Sequence, residues 1–126
     1  MRTRFYAAVL GAVLLSGAGA AAHHSFSAFN TETEKTITGT VNRFEWTNPH
    51  TWIWVDVTEN GKTVTWGVEG MSPNYLARRG WSKNTFKPGD KVTLTIRPMR
   101  DGSPGGMFVR GILADGKPVT VAATEQ

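Results

Sequence analysis

The chain has 126 residues, 40% of them hydrophobic, with a formal charge of +4 at pH 7, no cysteine and five tryptophans. That length supports one modest core and has no room for two, and the lack of cysteine excludes a disulfide framework and thiol chemistry. The charge makes no case for a nucleic-acid partner, because Arg2 and Arg4 lie in a segment expected to be removed, leaving an excess of about two.

Residues 1–22 have three zones. Arg2 and Arg4 are basic, Phe5 to Leu15 is apolar and uncharged, and Ser16 to Ala22 is built of small residues. This is the pattern of a secretory signal peptide. The apolar run is shorter than the roughly 20 residues of a membrane-spanning helix. Cleavage is therefore expected, with Ala21, Ala22 or His23 as the new first residue. The mature protein should then be periplasmic or secreted, with no stable membrane insertion. Residues 23–33 form an arm, 34–122 a folded domain and 123–126 a tail.

Period-2 alternation dominates the domain. Residues 35–46 read as a long first strand in which Ile37, Gly39 and Val41 share one face while Phe44 and Trp46 fall in the opposite phase. Keeping one face buried requires an inserted residue, so a β-bulge is expected near Asn42-Arg43. Thr47-Asn48-Pro49-His50 is a turn. Strands follow at 51–58 and 63–69, joined at Asn60-Gly61 by a hairpin signal. Residues 72–80 break the alternation. Ser72 suits an N-cap, Pro73 the first helical position, Arg78 and Arg79 the C-terminal dipole and Gly80 the stop, giving a two-turn helix. Strands at 91–97 and 107–113 flank a flexible loop at 101–106, and 118–122 is a last short strand. Three strands, a helix and two strands is the element order of the OB-fold, a five-stranded partly open barrel. The fold class is all-β with one short helix between strands three and four. The expected core is Val41, Ile53, Val55, Val57, Val64, Trp66, Val68, Leu94 and Ile96, plugged by Leu76.

His23-His24-Ser25-Phe26, Phe44-Glu45-Trp46-Thr47-Asn48-Pro49-His50, Ser72-Pro73 with Arg79-Gly80-Trp81, and Pro88-Gly89-Asp90 occur in that order. In this combination the chain resembles a family of small exported bacterial proteins, the domain-of-unknown-function family numbered 6152. The resemblance implies an exported small β-domain and brings no catalytic residues. A weaker likeness is to the periplasmic OB-fold copper/silver chaperone of metal-efflux systems, in size, compartment, fold and the Gly-Asp-Lys-Val run from Gly89. The closely spaced methionine pair of that family is missing here.

All three histidines fall in two of these segments. With His23 exposed by cleavage, its α-amine and imidazole can chelate one metal, and with one or two alanines retained the amino-terminal peptide forms a copper site of nitrogen ligands. His50 completes a His23, His24 and His50 set if the arm folds back. The alternative is a solvated arm and a turn-capping histidine. Met71, Met99 and Met107 read as core filler. In the second strand Ile53, Val55 and Val57 face the core, so Trp52, Trp54 and Asp56 face outward, beside Glu69 on the third. This is the usual OB ligand face. Either a ligand stacks on the two tryptophans or Phe26 and Phe29 of the arm cover them. No nucleophile–base pair or phosphate loop has a diagnostic spacing, so an enzyme is not expected. The leading function is a periplasmic module binding an unknown small ligand or exported protein partner through Trp52, Trp54, Asp56 and Glu69. The alternative is a copper-binding protein using His23, His24 and His50. No cofactor is certain, and copper is the one to consider.

Overall fold

The computed structural model describes residues 26–122. Residues 1–25, which hold the expected signal segment, His23 and His24, and the last four residues fall outside the described part of the chain. A single 3-10 turn, Phe26–Ala28, leads into six strands and one helix: β1 Lys35–Glu45, β2 Trp52–Glu59, β3 Lys62–Glu69, α1 Pro73–Ala77, β4 Lys91–Pro98, β5 Gly105–Leu113 and β6 Pro118–Thr120.

The first strand serves two partners. Residues 35–40 pair antiparallel with β4, and residues 40–45 with β2. Its register slips between Val41 and Arg43, where Asn42 is the extra residue. The bulge lies where the sequence requires it. It brings Phe44 onto the same side as Val41, and Phe44 packs on the core at 5.4 Å from the Phe86 ring. The β2–β3 hairpin turns on Asn60 and Gly61, at φ 53° and 76°, the doubly left-handed geometry that an Asn-Gly pair adopts at little cost. Closure comes from a parallel pairing of Gly67, Val68 and Glu69 with Gly105, Gly106 and Met107. The circuit β1-β2-β3-β5-β4-β1 with a helix between β3 and β4 is an OB-like barrel. Strand β6 extends the sheet beyond β5.

The helix is shorter than expected, five residues instead of two full turns. Ser72 caps it by accepting from the Tyr75 N–H at 3.4 Å, with Pro73 first. The chain leaves the helix at Arg78. Trp81 N–H then returns to the Leu76 carbonyl at 3.1 Å, which closes the C-terminal end. Arg79 folds back instead of extending the helix: its guanidinium donates to the Tyr75 carbonyl at 3.1 Å and lies 3.5 Å from the Tyr75 ring.

The core holds the expected Val41, Ile53, Val55, Val57, Val68, Leu76, Leu94 and Ile96, and adds Ile37, Trp81, Phe86, Val92, Phe108 and Val119. Val64 and Trp66 are only half-buried. They lie on β3 ahead of Gly67, where β5 has not yet joined, so one flank lacks a strand. The added aromatics form an edge-to-face cluster, with Trp81 5.2 Å from Phe108 and 5.6 Å from Phe86. The Trp81 indole N–H is satisfied by the Thr120 carbonyl at 2.8 Å, which ties β6 to the barrel end.

Leu94 is fully buried, whereas Ile112 is 51% exposed. Leu94→Ala is expected to cost about 2–5 kcal/mol as a large-to-small core change, and Ile112→Ala no more than about 0.5 kcal/mol as a surface change. Denaturant unfolding of both variants checks the strand phase, and equal losses would contradict it.

Candidate functional site

The outer face of β2 follows from its alternation. Ile53, Val55 and Val57 are buried, which leaves Trp52, Trp54 and Asp56 outward. The two indoles stack, with centroids 5.6 Å apart and planes 19° from parallel. Two neighbours hold Trp54. On β1, Arg43 pairs opposite Trp54 and holds its guanidinium 4.4 Å from the indole centroid, itself bound to Glu45 at 2.9 Å. On β3, Gly67 pairs opposite Trp54, and a Cβ there would lie 2.8 Å from the Trp54 ring. The ring occupies the space a side chain at 67 would need.

The arm folds back onto the end of β4 and the β4–β5 connection through one isolated antiparallel bridge. Asn30 N–H donates to the Pro98 carbonyl at 2.8 Å and Arg100 N–H to the Ala28 carbonyl at 2.9 Å, around a bridge between Phe29 and Met99. The Arg100 side chain donates to the Ser27 carbonyl at 3.0 Å, and Arg97 donates to the Thr31 carbonyl. Phe29, only 3% exposed, is thereby buried. It shares a cleft of about 210 Å³ with Trp52, Trp54, Gly67, Glu69, Met99 and residues 103–106. Arm cover and an open aromatic site, opposed as alternatives on the sequence, coexist: Phe29 forms one wall and leaves a cleft beside the tryptophans.

Glu69 lies on the expected face, opposite Trp52 in the ladder, yet is only 6% exposed. Its burial follows from barrel closure, because Met107 of β5 pairs along its other side. A Glu69 carboxylate oxygen is 3.6 Å from His50 Nδ1. His50 Nδ1 is also 3.1 Å from the Gly70 carbonyl. A carbonyl only accepts, so Nδ1 is the donor in this contact.

Asp56 shares the face but not the cleft. Its carboxylate accepts from Thr65 Oγ1 at 2.7 Å and Asn42 Nδ2 at 3.1 Å. These bonds, Thr65 first, hold its pKa below the ordinary carboxylate value of 3.8. The group acts as a local strap between β1, β2 and β3.

The metal reading involves residues beyond the described ones. His23 and His24 lie outside the described residues, and among the described residues no three His, Cys, Asp or Glu side chains converge on a point that would hold a metal. Met71 packs against the core, while Met99 lines the tryptophan cleft. Sequence reasoning missed Gly67, Met99 and residues 103–106 as cleft walls. Gly105 and Gly106, expected in a flexible loop, begin β5 instead. It also missed a larger open cleft of about 600 Å³ at the other barrel end, between residues 79–90 and 113–122. Two carboxylates there cap turns: Asp90 accepts from the Lys87 N–H and Asp115 from the Lys117 N–H, both at 2.9 Å. No helix among the described residues is long and apolar enough to cross a membrane.

Residues 12–109 match the model of a family described as a family of unknown function, DUF6152. No curated protein matches the chain. Among solved structures, the chain is similar to the mitochondrial single-stranded DNA binding protein Rim1 from S. cerevisiae. The identity is 12% and the TM-score 0.48, with 65% of this chain and 94% of that chain covered.

Two substitutions test this geometry. Gly67→Ala forces Trp54 off its stack, and overpacking of this kind costs about 1–3 kcal/mol. The near-ultraviolet circular dichroism of the stacked indole pair should collapse while the far-ultraviolet spectrum persists. An unchanged near-ultraviolet spectrum would contradict the contact. For Asp56, carbon-detected NMR titration should give a midpoint below 3.8, moving upward in Thr65→Val. A carboxylate with a depressed folded pKa stabilises above its unfolded pKa and loses that contribution as pH falls through the folded one. Acid sensitivity from this group should therefore appear only below about pH 3.8.

Proposed function

The chain belongs to the DUF6152 family of unknown function, and we propose that it works as an exported binding module whose ligand sits against the Trp52/Trp54 face. One observation carries this reading: two stacked indoles, of which Trp54 is held by Arg43 and Gly67, form the wall of a mostly apolar cleft on the outer face of β2. That is the side of strands two and three by which OB barrels usually take ligands. Aromatic rings kept half-exposed in a concavity cost solvation that packing alone would remove, and a ligand that covers them recovers it. The cleft carries one titratable group, the acidic Glu69. It therefore does not have the basic character that a phosphate backbone requires.

Export rests on residues 1–22, with their basic, apolar and small-residue zones. The protein acts there by binding, and the family of unknown function to which it belongs is compatible with that role.

Chemical-shift mapping of ¹⁵N-labelled protein against a library of small aromatic and alkylammonium fragments tests the site. Perturbed amides are expected at Phe29, Gly67, Glu69, Gly105 and Gly106. Hits confined to residues 79–85 and 117–120 would move the site to the opposite end of the barrel and overturn this reading. For export, intact mass of the periplasmic fraction should show a chain beginning at Ala21, Ala22 or His23. A chain still beginning at Met1 in the cytoplasm would contradict it.

A further inference from the structure

The walls of the tryptophan cleft say more than that a ligand binds. Three aromatic residues, Phe29, Trp52 and Trp54, and the thioether of Met99 surround it, and Glu69 is the one ionisable residue in its lining. Its polar side chains, apart from the indole N–H groups, are Ser103 and Glu69.

This lining discriminates among ligand classes. An anion meets the Glu69 carboxylate and no positive counterpart. A sugar stacks well on indole but needs a fringe of side-chain donors and acceptors around its hydroxyls, and two polar side chains do not supply it. A primary ammonium is strongly hydrated and needs acceptors for three N–H groups. An ammonium whose hydrogens are replaced by methyl groups needs no acceptor, sheds water readily and is attracted by the π-faces of indole. Burying a cation is favourable only near a compensating negative charge, and Glu69, 6% exposed, lies in the wall. Trp54 already has the Arg43 guanidinium 4.4 Å from its centroid, so a ligand cation is left chiefly the Trp52 and Phe29 rings and the rest of the Trp54 surface. The cleft volume of about 210 Å³ is below the roughly 300–1,000 Å³ of a pocket for a drug-sized ligand, so it suits a small head group.

We propose that the cleft recognises an alkylated ammonium group, with Trp52, Trp54 and Phe29 as the aromatic cage and Glu69 as the negative charge. This rests on the tryptophan cleft being the binding site. The same chemistry is carried by free quaternary amines and by the head group of phosphatidylcholine.

The test uses the full chain, expressed with its N-terminal segment and purified as the cell processes it. Choline and tetramethylammonium are titrated by calorimetry and tryptophan fluorescence, against the uncharged isostere 3,3-dimethylbutanol. Saturable binding of both cations is expected, roughly tenfold or more tighter than the isostere. Glu69→Gln should weaken the cations roughly tenfold and leave the isostere unchanged. Trp52→Leu, which keeps an apolar wall and removes the π-face, should do the same. Co-sedimentation with phosphatidylcholine vesicles separates the two sources: uptake on vesicles assigns the lipid head group, and binding of free choline alone assigns a soluble amine. Equal affinity for choline and the isostere, or no cation binding at all, overturns the cation inference. The fragment map still decides the cleft independently, since neutral aromatic fragments landing there would preserve the site without the charge preference.

Discussion

The structure turns on the bulge at Asn42. A straight β1 would place Val41 and Phe44 on opposite faces, because side chains alternate along a strand. The extra residue restores both to the inside, and at the same point β1 passes from its pairing with β4 to its pairing with β2. One strand can then edge both halves of the sheet, which is what lets a five-strand circuit close. The same slip sets the site. It pairs Arg43 with Trp54 on the outer face, so the residue directly after the bulge carries the cation that packs on Trp54. Asn42 adds a second tie, donating to the Asp56 carboxylate.

Closure at the other seam has a similar double consequence. The parallel pairing of Gly67, Val68 and Glu69 with the start of β5 is only three residues long. It seals the barrel beside Val68 and buries Glu69 on the outside, turning a residue that alternation alone would leave solvated into part of a cleft wall. Gly67 serves both sides of this seam. Its backbone pairs with Gly105, and its missing side chain makes room for Trp54.

Much of this was legible in the residues, and the failures are instructive. Strand positions, the bulge, the Asn-Gly hairpin and the outward phase of Trp52 and Trp54 follow from local alternation and turn chemistry, which need only neighbours in sequence. The aromatic end cluster did not follow. Trp81, Phe86 and Phe108 sit in or beside segments without clean alternation, and their burial depends on β6 and the post-helix loop folding across the barrel end. Glu69 lies on the face its alternation gives it but is buried there, because a parallel pairing with a strand about forty positions onward leaves no local mark in the sequence. The helix was overlength because Arg79 satisfies the last turn with its own guanidinium rather than as another helical residue. Of the candidate site, the tryptophans and Phe29 were legible from their apolar character. Met99 and residues 103–106 enter it only through the docking of the arm and the entry to β5.

The arm is the energetically softest part of the site. Fixing five backbone residues, 27–31, costs about 5–10 kcal/mol in conformational entropy. Against this stand the burial of Phe29, about 1.5–3 kcal/mol, and four hydrogen bonds to residues 97–100, each about 0.5–1.5 kcal/mol net. The two sides nearly cancel, so this segment opens more easily than the barrel beneath it. Phe29 is thus a wall held by the arm's own few bonds and its burial, while Trp52 and Trp54 are held by strands paired along their full length. The π-stacking surface is preorganised, and the remaining wall closes at little net cost. A ligand that touches both draws its affinity chiefly from the rigid indoles, with Phe29 adding a smaller contribution.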